Sequence, residues 1–206
     1  MTRISSLQAL ESHIREAIYV NELTPSLILV GGCSRSGKST AVAGLCRSFT
    51  LQGIENHIVQ LDSWLIGIND RAVHSTVVQR YDCKQIVESV GSILVGNPVA
   101  PPEYDAVSRR RISEAGGATI RARGGLVFAE GVIALAIREL LDLASLKIFV
   151  AIEGEARLER LRSFYHEKKG LSISEAEEII RIREMEEVPF VQQTSQNADV
   201  IFELGS

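Results

Sequence analysis

A three-layer α/β/α sandwich around a mostly parallel sheet is the fold this sequence predicts. Three observations carry it. Short apolar runs alternate with helical stretches along most of the chain, the pattern of a parallel sheet covered on both faces. The first of these runs, Ser26 to Val30 (SLILV), leads straight into glycines and then a helix pattern. The stretch from Val99 to Arg123, with PP, GG and alternation at Ala118-Thr119-Ile120-Arg121, interrupts the pattern as a small antiparallel β-hairpin insert would.

The elements follow in order. Ser5 and Gln8 have capping-box spacing. Leu7, Leu10, Ile14, Ala17 and Ile18 then recur at three- and four-residue steps, as one buried helix face requires. Asn21 to Pro25 ends that helix, and Ser26–Val30 reads as a buried strand. A helix over 38–51 is expected next, closed by Gly53, and His57 to Leu61 as a second strand. After a less regular stretch, a helix over 84–95 stops at Gly96-Asn97-Pro98. Leu126–Ala129 is a strand, 133–141 a helix and Leu146–Ile152 a strand. Two helical stretches at 155–167 and 174–187 precede a last strand, Val200–Leu204. No internal repeat or dividing linker is visible, so 206 residues suit one domain over 1–206. Within it lie an N-terminal helix at 1–24, the insert at 99–123 and a lid region at 157–170.

The formal net charge of −4 and the absence of a basic stripe argue against a nucleic-acid binder. Local positive charge can still serve a small anion. Cys33, Cys46 and Cys83 fit no zinc spacing and no disulfide framework. Reduced thiols and a cytoplasmic location are therefore expected. No signal peptide and no membrane-length apolar run are seen, so no membrane partner is expected.

The strongest motif is Gly32-Cys33-Ser34-Arg35-Ser36-Gly37-Lys38-Ser39, followed by Thr40. It fits G-x-x-x-x-G-K-[ST] in full, between a strand and a helix. Glycines let backbone N–H groups turn inward around phosphate oxygens, and the helix start adds positive partial charge. Lys38 can reach the β- and γ-phosphates and Ser39 can ligate Mg²⁺. The expected fold is thus a P-loop NTPase, with ATP and Mg²⁺ as cofactors; the loop alone does not fix its class, and the short chain suits a small-molecule kinase. Neither an N-K-x-D guanine element nor an LSGGQ-like signature is present.

Two strand ends carry acids. Asp62 follows VQL, on the edge where open α/β sheets bind ligands, and can take or orient the proton of an attacking hydroxyl. Glu130 follows LVFA and can hold Mg²⁺ through water. Asp82, in RYDCKQ, is equally a helix N-cap or a ligand for sugar hydroxyls. Trp64 either walls the acceptor pocket or packs. The histidines are scattered and read as structural or exposed.

Taken in order, these segments resemble the uridine kinase and phosphoribulokinase-like family of P-loop kinases. GGCSRSGKST, LDSW, RYD, EYDAVSRRR, VFAEGVIAL, KIFVAIEGEARLERLR and VPFVQQTSQNADVIFEL follow its sequence of motifs. The resemblance implies Asp62 as catalytic base with Lys38, and Ser39 and Glu130 at the metal. It implies Asp82 and Tyr104 near the acceptor, and the adenine near Asn197–Val200. A homo-oligomer is also implied. Arg109 stands where uridine kinases carry a His, and its fork of donors suits carboxylate or phosphate; Arg111 is a second candidate clamp. The family's Arg-rich lid reads RLRSFYHEKKG here, with Phe164-Tyr165 near the usual R-D. Arg160 and Arg162 are the candidates for facing the transferring phosphate. The expected function is an ATP-dependent phosphotransferase acting on a small-molecule hydroxyl, as uridine kinase does. The alternatives are an anionic acceptor, such as a sugar phosphate or hydroxy acid, and a nucleotide-binding regulator without catalysis.

Overall fold

The structure, a computed structural model, describes residues 1–205. Its frame is a run of β–α units. β1 (Thr2–Ile4) and α1 (Leu7–Ala17) come first, then β2 (Ser26–Gly31), α2 (Lys38–Leu51) and β3 (Asn56–Gln60). α3 (Cys83–Leu94) precedes a hairpin of β4 (Glu103–Asp105) and β5 (Arg110–Ser113). β6 (Leu126–Glu130), α4 (Arg138–Leu143), β7 (Leu146–Ile152) and α5 (Gly154–Ser163) follow. The chain closes with α6 (Ile173–Thr194) and β8 (Val200–Leu204).

Six strands pair in the order β1-β8-β7-β2-β6-β3, all in parallel. Successive strand residues face opposite ways, and the core divides accordingly. Leu27, Leu29, Val127 and Ala129 pack with Ile86 and Val90 of α3, Leu140 of α4 and Val191 of α6. Ile28, Val30 and Phe128 pack on the other face with Leu10 and Ile14 of α1 and Val42, Leu45 and Phe49 of α2. This is the expected three-layer sandwich. A third, small cluster of Leu161, Tyr165, Ala176 and Ile180 sits between α5 and α6.

Several local expectations need correction. Ser6, not Ser5, caps α1, its hydroxyl accepting from the Ala9 N–H at 3.2 Å. β1, which three exposed or half-buried residues could not announce, adds an edge to β8. The insert's hairpin is β4–β5, whereas Ala118–Arg121 contributes only an isolated bridge between Val99 and Ile120. Residues 133–136 make turns, Ile137 is extended, and α4 starts at Arg138. Ile133, Ala134 and Leu135 are all fully buried, leaving none of the polar face that a surface helix shows. α6 runs past Glu187 through Pro189 to Thr194.

Candidate active site

The site is built at the carboxyl edge of the sheet. Gln60, Glu130 and Val30 share one register level across β3, β6 and β2. The phosphate loop therefore leaves β2 beside the end of β6, and Asp62 lies two residues beyond β3. Ligands of open α/β sheets bind at this edge.

The loop's shape depends on its glycines. Gly32 has φ 141° and Gly37 φ 94°, values at which side chains are strained. A Cβ on Gly32 would also lie 2.5 Å from the Val150 carbonyl oxygen of β7. Lys38 is buried, and its ammonium donates to the Gly32 and Cys33 carbonyls at 3.0 and 2.9 Å. Burial pulls its pKa down, while Asp62, Glu130 and Glu187 hold it up. Ser36 Oγ is buried with no partner among the described residues. A buried hydroxyl, a lysine at the loop's centre and the start of α2 fit phosphate oxygens. Ser34, Arg35 and Thr40 line the cleft above, while Cys33 is buried beneath it. The loop's outer side is braced: Ser34 N–H donates to Glu187 at 3.4 Å, and Arg157, ion-paired with Glu184, donates to Ser34 O at 3.3 Å.

Ser39 Oγ donates to Glu130 Oε1 at 2.7 Å. Glu130 is buried, and that burial raises its pKa, with Ser39 and Lys38 partly offsetting it. A hydroxyl and a carboxylate are hard oxygen donors and suit Mg²⁺, which takes few protein ligands beside phosphate and water. Among the described residues no larger group of His, Cys, Asp or Glu could cage a metal.

Asp62 stands exposed on a 3₁₀ turn, Leu61–Trp64. Its Oδ1 accepts from the Tyr81 hydroxyl at 2.9 Å. Tyr81 is buried, and burial with the Asp62 charge pushes its pKa well up. It is therefore a neutral donor that fixes the carboxylate. The sequence reading passed over Tyr81; the only signal was its place beside Asp82 in RYD.

A cleft of about 1790 Å³ collects these groups. Lys38, Ser39, Asp62, Glu130, Tyr104, Arg109 and Arg160 all line it. Arg160 Nη1 would lie 3.3 Å from a Cβ on Gly37, which sets it beside the phosphate loop. Three candidates lie off the cleft. Asp82 caps α3, accepting from Gln85 N–H at 3.0 Å, and faces Arg111 at 3.9 Å. Arg111 donates to Trp64 O at 3.0 Å, tying the hairpin to the Asp62 turn. Arg162 is spent on Glu155 and Glu177 at 2.8 and 2.7 Å. Trp64 is fully buried and packs. Asn197 donates its amide to Leu135 O, and the chain's C-terminal contribution to the cleft is Leu204 instead. Arg71, which the sequence did not single out, reaches the cleft and donates to Tyr104 Oη at 3.2 Å.

The cleft is electropositive although the chain is acidic. Nine lysines and arginines line it against five carboxylates. Of those nine, Arg80 alone has a carboxylate within 4 Å among the described residues, Glu186 at 2.6 Å.

The sequence model of the phosphoribulokinase / uridine kinase family matches residues 27–206. A uridine kinase of Streptococcus gordonii is 27% identical over 190 residues, 88% of each chain. One of Streptococcus pneumoniae is 26% identical over 189 residues, covering 88% of this chain and 86% of that one. Among solved structures, a Silicibacter sp. TM1040 chain assigned as a fructose transport system kinase superposes with a TM-score of 0.75 at 18% identity, covering 96% and 98% of the two chains. A Bacillus stearothermophilus chain described as a possible uridine kinase gives 0.63 at 18% identity, covering 95% and 96%. A D-glycerate 3-kinase of Cryptococcus neoformans gives 0.58 at 10%, covering 84% and 82%. The fold is that of P-loop kinases, and the chain belongs to the phosphoribulokinase / uridine kinase family.

Proposed function

We propose that this chain is a phosphotransferase that moves the γ-phosphate of ATP onto a hydroxyl of a small molecule, with Asp62 as base. The observation that carries the reading is the convergence of Lys38, the Ser39–Glu130 pair and Asp62 on one sheet edge, within one cleft. A nucleotide sensor has use for the first three. A carboxylate two residues past β3, held by Tyr81, is what an acceptor hydroxyl needs.

The loop N–H groups and Lys38 hold the nucleotide phosphates, and Ser39 with Glu130 would hold magnesium. Magnesium, when bound there, would supply charge neutralisation for the nucleotide phosphates. Asp62 receives the acceptor's proton as the hydroxyl oxygen bonds to the γ-phosphorus and the bond from that phosphorus to the β,γ-bridging oxygen breaks, releasing ADP; Tyr81 keeps the carboxylate in line. Arg160, beside Gly37, faces the charge on the transferring group. The lid region at 157–170 and the hairpin insert bound the cleft from two sides and keep water from the phosphoryl group.

ADP release with Mg-ATP tests this across uridine, cytidine, pentose phosphates and hydroxy acids. The uridine kinase relatives put the nucleosides in the panel, and Arg109 adds the anionic compounds. Acceleration by one acceptor, lost in Asp62→Asn, is the expected result. Phosphate release that no acceptor accelerates would make the chain a hydrolase, and nucleotide binding with no turnover a nucleotide-binding regulator.

A further inference from the structure

We propose, resting on the phosphotransferase reading, that the acceptor is an anion whose phosphate or carboxylate group is held by Arg109, Lys169, Arg183 and the Tyr165 hydroxyl on the lid side of the cleft.

The lid carries the aromatic pair Phe164-Tyr165, and the two rings gather cations from elsewhere. Phe164 and Tyr165 meet edge to face, ring centroids 5.4 Å apart. Arg35 of the phosphate loop stacks 3.6 Å from the Phe164 centroid, and the Lys169 ammonium lies 5.7 Å from it. Arg183 of α6 lies 5.8 Å from the Tyr165 centroid. A ring face attracts a cation, so one aromatic pair draws together three like charges from three parts of the chain. Arg109, at φ 59° on the hairpin turn, lines the same cleft.

No carboxylate pairs with them directly. Arg35, Arg109, Lys169 and Arg183 have no ion-pair partner within 4 Å among the described residues, whereas Arg162 on the lid's outer side has two. Of the acids nearby, Glu186 pairs with Arg80, and two more are engaged by main-chain donors. Asp105 accepts from the Val107 and Ser108 N–H groups, and Glu187 from Ser34 N–H. Lys169 is pulled below its ordinary pKa by burial, then by Arg109 and Arg183, with Asp105 opposing and Arg35 adding. Converging cations repel each other unless an anion comes between them.

Tyr165 supplies the second observation. It is 3% exposed, it lines the cleft, and its hydroxyl has no partner among the described residues. A buried donor without an acceptor is costly; an anion's oxygen would satisfy it. The anion is the acceptor's and not the nucleotide's. Lys169 donates to Ala106 O in the hairpin and Arg109 belongs to that hairpin, whereas Lys38, Ser39 and Arg160 already serve the nucleotide phosphates.

The test uses the full chain saturated with Mg²⁺ and a non-hydrolysable ATP analogue, so that the nucleotide's phosphate sites are filled. Inorganic phosphate is titrated by calorimetry. Saturable binding is expected, weakened at least tenfold in Arg109→Gln and in Arg183→Gln. It should be unchanged in Arg121→Gln, whose guanidinium is exposed and bonds Gly96 O. No saturable binding, or binding indifferent to both cleft variants, overturns the proposal. ADP release then compares ribose 5-phosphate with ribose and D-glycerate with glycerol, which separates a phosphate-bearing from a carboxylate-bearing acceptor. The anionic partner is expected to show a KM at least tenfold lower. Turnover of neutral uridine that Arg109→Gln and Arg183→Gln leave unchanged would refute the anion and keep the phosphotransferase. Phosphate binding as expected with no acceptor raising ADP release would keep the anion site and refute the phosphotransferase.

Discussion

Replacing Glu130 by Gln should move stability and activity in opposite senses. Glu130 is 6% exposed at the end of β6, and its burial raises its pKa above the ordinary carboxylate value of 4.5. A raised carboxyl pKa means that the fold favours the neutral form. Its stabilising contribution is complete below 4.5 and is lost as pH rises through the folded value. At pH 7 the fold thus carries a buried charge that Gln would not impose. The amide oxygen can still accept from Ser39 Oγ, now at 2.7 Å from Oε1, although a charged hydrogen bond worth about 1.5–3 kcal/mol becomes a neutral one near 1 kcal/mol. The loss of roughly 1 kcal/mol is offset by removal of the desolvation cost. Since 1 kcal/mol moves Tm by about 2–4 °C in a chain of this size, Glu130→Gln without magnesium should melt within about 4 °C of the parent, or above it, at pH 7. The variant's advantage should shrink as pH falls toward 4.5. Phosphoryl transfer should meanwhile drop by roughly 10²-fold, because a charge at the metal is lost. Differential scanning calorimetry from pH 4.5 to 8, beside ADP release, reads both. A fall in Tm beyond about 8 °C at pH 7, or activity within threefold of the parent, would refute this assignment.

Asp62→Asn should lower kcat by roughly 10²–10⁴, the range for a general base, with Mg-ATP affinity measured by calorimetry unchanged within twofold. Tyr81→Phe removes one hydrogen bond to a charged group, about 1.5–3 kcal/mol, and should cost about tenfold or more in kcat. In the Asp62→Asn background that loss should largely vanish, because the two residues act as one unit. Leu10→Ala should destabilise by about 2–5 kcal/mol, since Leu10 is 1% exposed in the α1–α2 core; thermal melting checks it, and an unchanged Tm would show that α1 is not part of the sandwich.

What could be read from the sequence was what neighbours along the chain determine. α2, β7 and β8 fall where their apolar runs and flanking glycines place them. The phosphate loop was legible because one backbone path fixes its spacing. Glu130 and Asp62 were found because each follows an apolar strand. What escaped depends on contacts between distant segments. Tyr81 meets Asp62 across 19 positions, and Arg71 meets Tyr104 across 33. No period in the sequence encodes either meeting. Asp82 and Arg111 look polar enough for a site, but one serves a helix start and the other reaches a main-chain carbonyl. The helix expected over 174–187 continues past Pro189, which removes one main-chain N–H, to Thr194, with Val191 fully buried in the core. Burial of the following turn outweighs the missing N–H.

Those two displaced candidates tie the Asp62 turn to the hairpin. Trp64, the last residue of the Asp62 turn, accepts through its carbonyl from Arg111 of β5 and from the Asp82 N–H, each at 3.0 Å. Ile66 N–H donates to Arg80 O, and Ile68 N–H to Arg109 O, both at 2.9 Å. The segment that carries Asp62 is therefore bonded on one side to the start of α3 and on the other to the hairpin that presents Tyr104 and Arg109. Lys38, Ser39 and Glu130 belong instead to the sheet and its loop. The lid has its own cluster, Leu161, Tyr165, Ala176 and Ile180. The hairpin is thereby registered against Asp62 through direct hydrogen bonds. In-line transfer demands that kind of positioning, since a small displacement between hydroxyl and phosphate costs rate steeply. Asp82 and Arg111 help to fix where Asp62 stands, without lining the cleft themselves.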